Sequence, residues 1–243
     1  MDRALYIAMT GAKQVTLRHA SVANNLANLN THGYKAQEDL FRALPVQGEG
    51  AKTRAYVVET TPRADFSSGG LQQTGAALDV AVRGQGWLVV QGPDGQEAYT
   101  RVGKLQVSAE GQLQTANGWT VMGDGGPVAV PVDQQVSIGE DGTVSTVLPG
   151  QAAVTTAGRL KLVNPPAAEL NRGGDGLFRL RSGDPAPADA NVRLVTGAIE
   201  MSNVNPAKSL VDMIELSRQF DLQMRVIRTV DENDRSASKV LTV

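Results

Sequence analysis

The 243-residue chain contains no cysteine. That excludes disulfides, cysteine-based metal sites and thiol nucleophiles, and it is compatible with any redox compartment. Aromatic residues make up only 4% of the sequence, so a core must rest on Val, Leu and Ala, although the total apolar content of 41% is ordinary for a chain that packs one. Charge of neither sign dominates. A formal net charge of -2 argues against a nucleic-acid binder that works by neutralising phosphates. No stretch is long and apolar enough to cross a bilayer. The opening "MDRALYIAMTGAKQ" lacks the continuous apolar segment and cleavage site of a secretory signal peptide, so by standard routes the protein is expected to stay in the cytoplasm. The length suits one large domain or two small ones.

Residues that carry chemistry are equally scarce. There are two histidines, His19 on a helical seam and His32 in the turn after it, and neither has the convergent partners that catalysis or metal binding needs. No carboxylate pair has diagnostic spacing. The Gly-x-Gly in "RGQGWLVV" precedes a strand instead of following one and opening a helix, the wrong context for a dinucleotide site. "RGGDG" (172–176) faintly resembles a calcium-binding turn, but a single copy reads as a plain turn. No enzyme, cofactor, metal or small-molecule substrate is expected.

What the sequence does have is helical periodicity at both ends. Stepping alternately by three and four from Leu5 gives Ala8, Ala12, Val15, His19, Val22, Leu26 and Leu29, a heptad seam. The pattern predicts a helix from Arg3 to Leu29, about 40 Å long, with Asp2 as its cap and Gly33 closing it in a left-handed conformation. Near the other end, Asn205 reads as an N-cap and Pro206 as the first helical residue. The same stepping from Leu210 gives Met213, Ser217, Phe220, Met224 and Ile227 before the seam turns polar. This predicts a second helix from Ala207 to Val240, about 50 Å long, frayed at the acidic patch Asp231 to Asp234. Its Lys208, Arg218, Arg225, Arg228, Arg235 and Lys239 alternate with acids and read as a solvated face.

Between the helices the grammar changes. Acidic or amide residues precede Gly at Asp94, Glu110, Asn117, Asp124, Asp141 and Asp175, flanked by alternating apolar residues such as Leu78/Val80/Val82 and Val136/Ile138. Period-two alternation between Gly turns marks antiparallel hairpins. The expected fold class is α+β: long N- and C-terminal helices pairing as a coiled coil, with a central all-β antiparallel domain. The expected divisions are an N-terminal assembly helix over 1–33, an extended connector or long hairpin over 34–70 with one plausible strand "AYVVET", an all-β domain over 71–196, and a C-terminal assembly helix over 197–243. "DPAPADAN" (184–191) reads as a Pro-rich loop before the last strand.

Each helix carries apolar residues off its seam: Ile7, Met9 and Leu17 on the first, and Val211, Ile214, Leu216, Leu222, Val226 and Val230 on the second. Exposed apolar patches usually mark interaction surfaces. These residues pack either on the β domain or on other subunits; the second is favoured, because a β domain of this size covers only part of helices this long. The helix ends in "ANNLANLN", unusual because asparagine is a poor helix former. Asn24 and Asn28 lie four apart beside the seam. They either bond neighbouring helices and fix their register, or simply weaken the helix before its turn. The candidate assembly interface is Leu5, Ala8, Ala12, Val15, Val22, Asn24, Asn25, Leu26, Asn28 and Leu29 with Leu210, Met213, Ile214, Phe220, Met224 and Ile227. The rival reading from another class is a cell-surface binding module, for which the β loops offer little aromatic or charged clustering.

Three stretches, "VANNLANLNTHGYK", "LDVAVRGQGWLVVQGPDGQEAYTRVGKLQVSAEGQL" with its Tyr99 to Gly103 core, and "EMSNVNPAKSLVDMIELSRQF", resemble in order the signatures of the bacterial flagellar rod and hook family. Tyr34 stands where that family often has Phe, and "PAKSL" replaces a more usual Pro-Val-x-x-Met. The opening and the modest length point within the family to a proximal-rod member, with a distal-rod member as the alternative. The resemblance implies a structural subunit of the basal-body rod that stacks helically across the periplasm and transmits motor torque. It further implies export by the flagellar type III apparatus without a cleaved signal. The implied partners are copies of itself, other rod proteins (the distal rod protein FlgG on one side) and the export apparatus, with no nucleic acid. Terminal helices that find their partners only in the rod are expected to order on docking.

Overall fold

The computed structural model describes residues 3–45, 55–150 and 153–241. They divide into two units, one drawn from the stretches 3–29, 36–65 and 204–241 and the other from 30–35 and 66–203.

The first unit holds both long helices and a hairpin. Helix α1 spans Arg3–Ala27. It stops two residues before Leu29, where the Asn28 N–H donates to the carbonyls of both Asn24 and Asn25 at 3.1 Å and the chain turns. Asp2, the expected cap, lies outside the described residues. Helix α2 spans Pro206–Leu241. Asn205 caps it, its Oδ1 accepting from the Lys208 N–H at 3.0 Å, and Pro206 takes the first helical position, where a missing N–H costs nothing. The helix runs unbroken through Asp231 to Asp234, with Arg235 paired to Asp231 one turn away at 2.8 Å; one such i,i+4 contact offsets part of the expected repulsion.

The stretch expected to be an extended connector or a long hairpin holds two paired strands. β1 (Gln37–Pro45) and β2 (Ala55–Ala64) form an antiparallel ladder running from Pro45↔Ala55 to Gln37↔Ala64, with an irregularity between Glu38 and Leu40. A two-stranded ribbon is marginal alone, and both strands pack on α1.

The second unit is antiparallel throughout, as short connections require. Its largest sheet has five strands in the order Leu162–Val163, Trp87–Gln91, Glu97–Thr100, Phe178–Leu180, Leu170–Arg172. A three-stranded sheet is formed by Gln135–Ile138, Thr143–Val147 and Val154–Arg159. The strand Ala198–Glu200 pairs with Leu71–Gln73, and Arg193–Thr196 with Val80–Arg83. The core is aliphatic, with Val80, Leu88, Val90, Leu113, Val121, Val144, Leu160 and Leu194 buried together. Three aromatics, Phe66, Trp87 and Phe178, meet with ring centroids 4.8–5.6 Å apart, edge-on or tilted as ring quadrupoles favour.

Candidate assembly site

On α1 Ala8, Ala12 and Val22 are buried and Leu5, Val15 and Leu26 half-buried, as is Leu29 two residues beyond the helix. Ala8 and Ala12 allow α2 to come close, and Gly11 faces Gln223 so tightly that an added Cβ would lie 3.1 Å from its side-chain carbon. α1 and α2 therefore pack along α1's small-residue face. Within one chain α1 and α2 partner one another, and burial of this seam offsets part of the chain-entropy cost of ordering them.

On α2 the seam differs from the predicted one. Leu210, taken as its first member, is 50% exposed, whereas Leu216, taken as off-seam, is 2% exposed. The buried and half-buried positions are Ser209, Asp212, Met213, Leu216, Gln223, Met224, Ile227 and Val230, so the predicted frame misses at Leu210, Ser217 and Phe220, which are exposed. Met213, Met224 and Ile227 are half-buried; Ile214 and Phe220 are exposed. The surplus apolar surface is real. Val211, Ile214, Leu222 and Val226 are all exposed, Ile214 and Leu222 by 55% and 57%, and their spacing places them on the side of α2 away from the seam. Met9 and Leu17 are exposed on α1, with Tyr6.

Asn25, which the two alternatives for Asn24 and Asn28 left aside, has a role of its own. Asn25 is buried and bonds the backbone of Gln37 on both sides: its Nδ2 donates to the Gln37 carbonyl at 2.9 Å and its Oδ1 accepts the Gln37 N–H at 2.8 Å. The side-chain amide thus imitates a neighbouring strand at the first residue of β1. One turn earlier, Ser21 Oγ donates to Asp39 Oδ1 at 2.9 Å. Four helical residues rise about 6 Å and two strand residues about 6.6 Å, so Ser21 and Asn25 match Asp39 and Gln37 in step. Burial pushes the Asp39 carboxyl up, opposed by the Ser21 bond and by the Arg18 charge. Asn28 turns back on its own helix, donating to the Asn24 carbonyl at 2.9 Å and to its Oδ1 at 3.2 Å, which helps close α1. Asn24 itself is exposed.

The second unit holds a cluster that sequence reasoning missed. Lys35, Arg101 and Glu200 are all buried. Lys35 Nζ donates to Glu200 Oε1 at 2.7 Å and Arg101 Nη1 to Glu200 Oε2 at 2.9 Å. Lys35 also donates to the Ser67 carbonyl at 2.7 Å, and Arg101 donates through Nη1 to the Val82 carbonyl at 3.4 Å and through Nη2 to that of Gly84 at 2.7 Å, while its Nε is buried without a hydrogen-bond partner. Burial pulls the Arg101 guanidinium below its ordinary range, and Glu200 opposes this. Each member comes from a different signature stretch: Lys35 from "THGYK", Arg101 from "YTRVG" and Glu200 from "EMSNVN". Gly33 belongs here too. It has a left-handed φ of 68°, as expected, but lies well past the end of α1 and does not cap it. Its N–H donates to the Glu200 carbonyl at 2.8 Å, and a Cβ there would fall 2.4 Å from the Arg101 carbonyl carbon. Arg172 stacks over Tyr34 at 4.4 Å and donates to the Lys35 carbonyl at 3.1 Å.

Three family models match in chain order: residues 5–35 the Flagella basal body rod protein model, residues 81–146 the Flagellar hook protein FlgE/F/G D1 domain, and residues 195–240 the Flagellar basal body rod FlgEFG protein C-terminal model. The FlgF rod protein of Salmonella typhimurium is 45% identical over 100% of both chains, and that of Escherichia coli is 44% identical over 100% of both. FlgG of Buchnera aphidicola (subsp. Baizongia pistaciae) is 34% identical over 96% of this chain and 97% of its own. All three are named for a structural rod, and none for an enzymatic activity. The chain belongs to the flagellar rod and hook family, and within it to the FlgF basal-body rod proteins.

Proposed function

We propose that this chain, a structural subunit of the flagellar basal-body rod, assembles helically through α1 and α2 in the proximal rod and carries motor torque across the periplasm. In this reading α1 and α2 wind together as a two-stranded coiled coil on their heptad seams. Their outer apolar faces then meet the helices of neighbouring subunits. Torque transmission needs stiffness, and close-packed helices supply it because packed interiors resist compression. The neighbours are copies of this chain and other rod proteins, FlgG on the distal side. The chain reaches the periplasm through the flagellar type III apparatus without a cleaved signal.

One observation carries the reading: Val211, Ile214, Leu222 and Val226 remain exposed after α2 has packed on α1, more apolar surface on one helix than a single chain hides. Ile214→Asp tests it. The variant keeps the helix and the seam, so helical content and unfolding midpoint stay as in the wild type while incorporation into basal bodies and swimming are lost. Normal incorporation of a folded Ile214→Asp chain would refute it.

A further inference from the structure

The chain passes between its two units at 29/30, 35/36, 65/66 and 203/204. Within the β unit, three of these crossings are tied into one network. Lys35, the last residue of its stretch, donates to the Ser67 carbonyl at 2.7 Å. Asn203, the last residue before α2's segment, donates through Nδ2 to the same carbonyl at 3.1 Å and to Ser67 Oγ at 3.2 Å. The Asn203 N–H donates to the Tyr34 carbonyl at 3.4 Å. At the centre stands Glu200, whose carboxylate accepts from Lys35, Arg101 and the Gly69 N–H at 2.7, 2.9 and 2.9 Å.

A buried ion cluster is a poor choice for stability alone. Apolar replacements of similar volume are often as stable or more so, because desolvating the charges costs as much as their attraction returns. What charges add is direction, since each bond fixes a distance and an angle. Here the directed bonds gather the chain exits at one place.

We propose that Glu200 is a positioning residue for rod assembly: through Lys35, Arg101 and Gly69 it holds the points at which the chain leaves the β unit at a fixed spacing. Stability of the β unit is a separate matter from that spacing, and a subunit that folds with loosened exits presents its helices in the wrong place for a helical lattice. The inference rests on the assembly reading above.

The test uses the full-length chain, in which the absence of cysteine lets spin labels be placed at Asn30→Cys and Ser68→Cys alone. Glu200→Asp keeps the anion but shortens its reach by one methylene. The triple variant Lys35→Met, Arg101→Met, Glu200→Met keeps the volume and removes every charge. Both are expected to unfold near the wild-type midpoint by tryptophan fluorescence. Both are also expected to show a broadened inter-label distance distribution by pulsed electron spin resonance and to be lost from isolated basal bodies. A folded variant of either kind with the native distance width and normal incorporation overturns the proposal. If one variant fails to fold, the other decides. The assembly reading fails separately: Ile214→Asp entering the rod would sink that reading without touching the distance result.

Discussion

Replacing Asn25 tests how α1 and the hairpin are held together. Its amide makes two bonds to one residue's backbone, at 2.9 and 2.8 Å, and a neutral intramolecular hydrogen bond contributes about 0.5–1.5 kcal/mol net. Gln37 is half-buried, so water reaches part of what Asn25→Ala would leave unpaired. The expected cost is therefore about 2 kcal/mol, the middle of the range for two such bonds. That corresponds to about 30-fold faster hydrogen exchange at the amides of β1 and β2, on the scale of tenfold per 1.4 kcal/mol. Asn25→Asp sharpens the test. A carboxylate still accepts from the Gln37 N–H but sets a second acceptor against the Gln37 carbonyl, so at neutral pH it should cost at least as much as alanine. Once protonated it can donate again. Its folded-state pKa is therefore raised above the unfolded value, and the lost protection should return as pH falls through that raised value. Hydrogen exchange read by mass spectrometry across pH measures both. Unchanged hairpin protection in Asn25→Ala, or an aspartate variant whose protection falls further in acid, would refute the strand-mimic account.

Other outcomes follow from the same geometry. Leu216→Ala should cost about 2–5 kcal/mol of unfolding free energy in denaturant, while Leu210→Ala should stay within about 0.5 kcal/mol; the reverse order would restore the Leu210 seam. Asp39 has a folded pKa raised by burial. Its contribution is full below the unfolded carboxyl value and is lost as pH rises through the folded one. Asp39→Asn keeps an acceptor for Ser21 and should flatten this part of the pH–stability curve, leaving the variant at least as stable at neutral pH. Asp175 has the opposite sign: the Arg179 bond holds its carboxyl low, so Asp175→Asn should lose its disadvantage as the medium is acidified below the ordinary carboxylate range, read by thermal unfolding at stepped pH.

The α+β layout was legible because both of its periods are local. Seams at 3.5 residues mark α1 and α2, and turn glycines with alternating apolar residues mark the strands; Gly95, Gly111, Gly118, Gly142 and Gly176 all take positive φ. The face of α2 was not legible. Frames begun at Ser209 and at Leu210 share Met213, Phe220 and Ile227, and a helix that is apolar on its outer side as well gives periodicity nothing to choose by. That ambiguity has the same origin as the proposed function: a helix packed on two sides carries two seams. Glu200 and Lys35 lie 165 residues apart, and no local pattern announces a pairing of that range. The only hints were single charges inside otherwise apolar strand patterns, as in "GAIEMSN". The Asn25 contact was hidden for a simpler reason, since its partner is backbone and leaves no mark on residue type.

The claim that α2's outer face is covered by other subunits can be measured directly on chains carrying Ile214→Cys or Leu222→Cys, each the sole thiol in its chain. Maleimide should label both sites rapidly in the purified monomer, where they are exposed, and should fail to label them in isolated basal bodies. Equal labelling in both preparations would contradict the account.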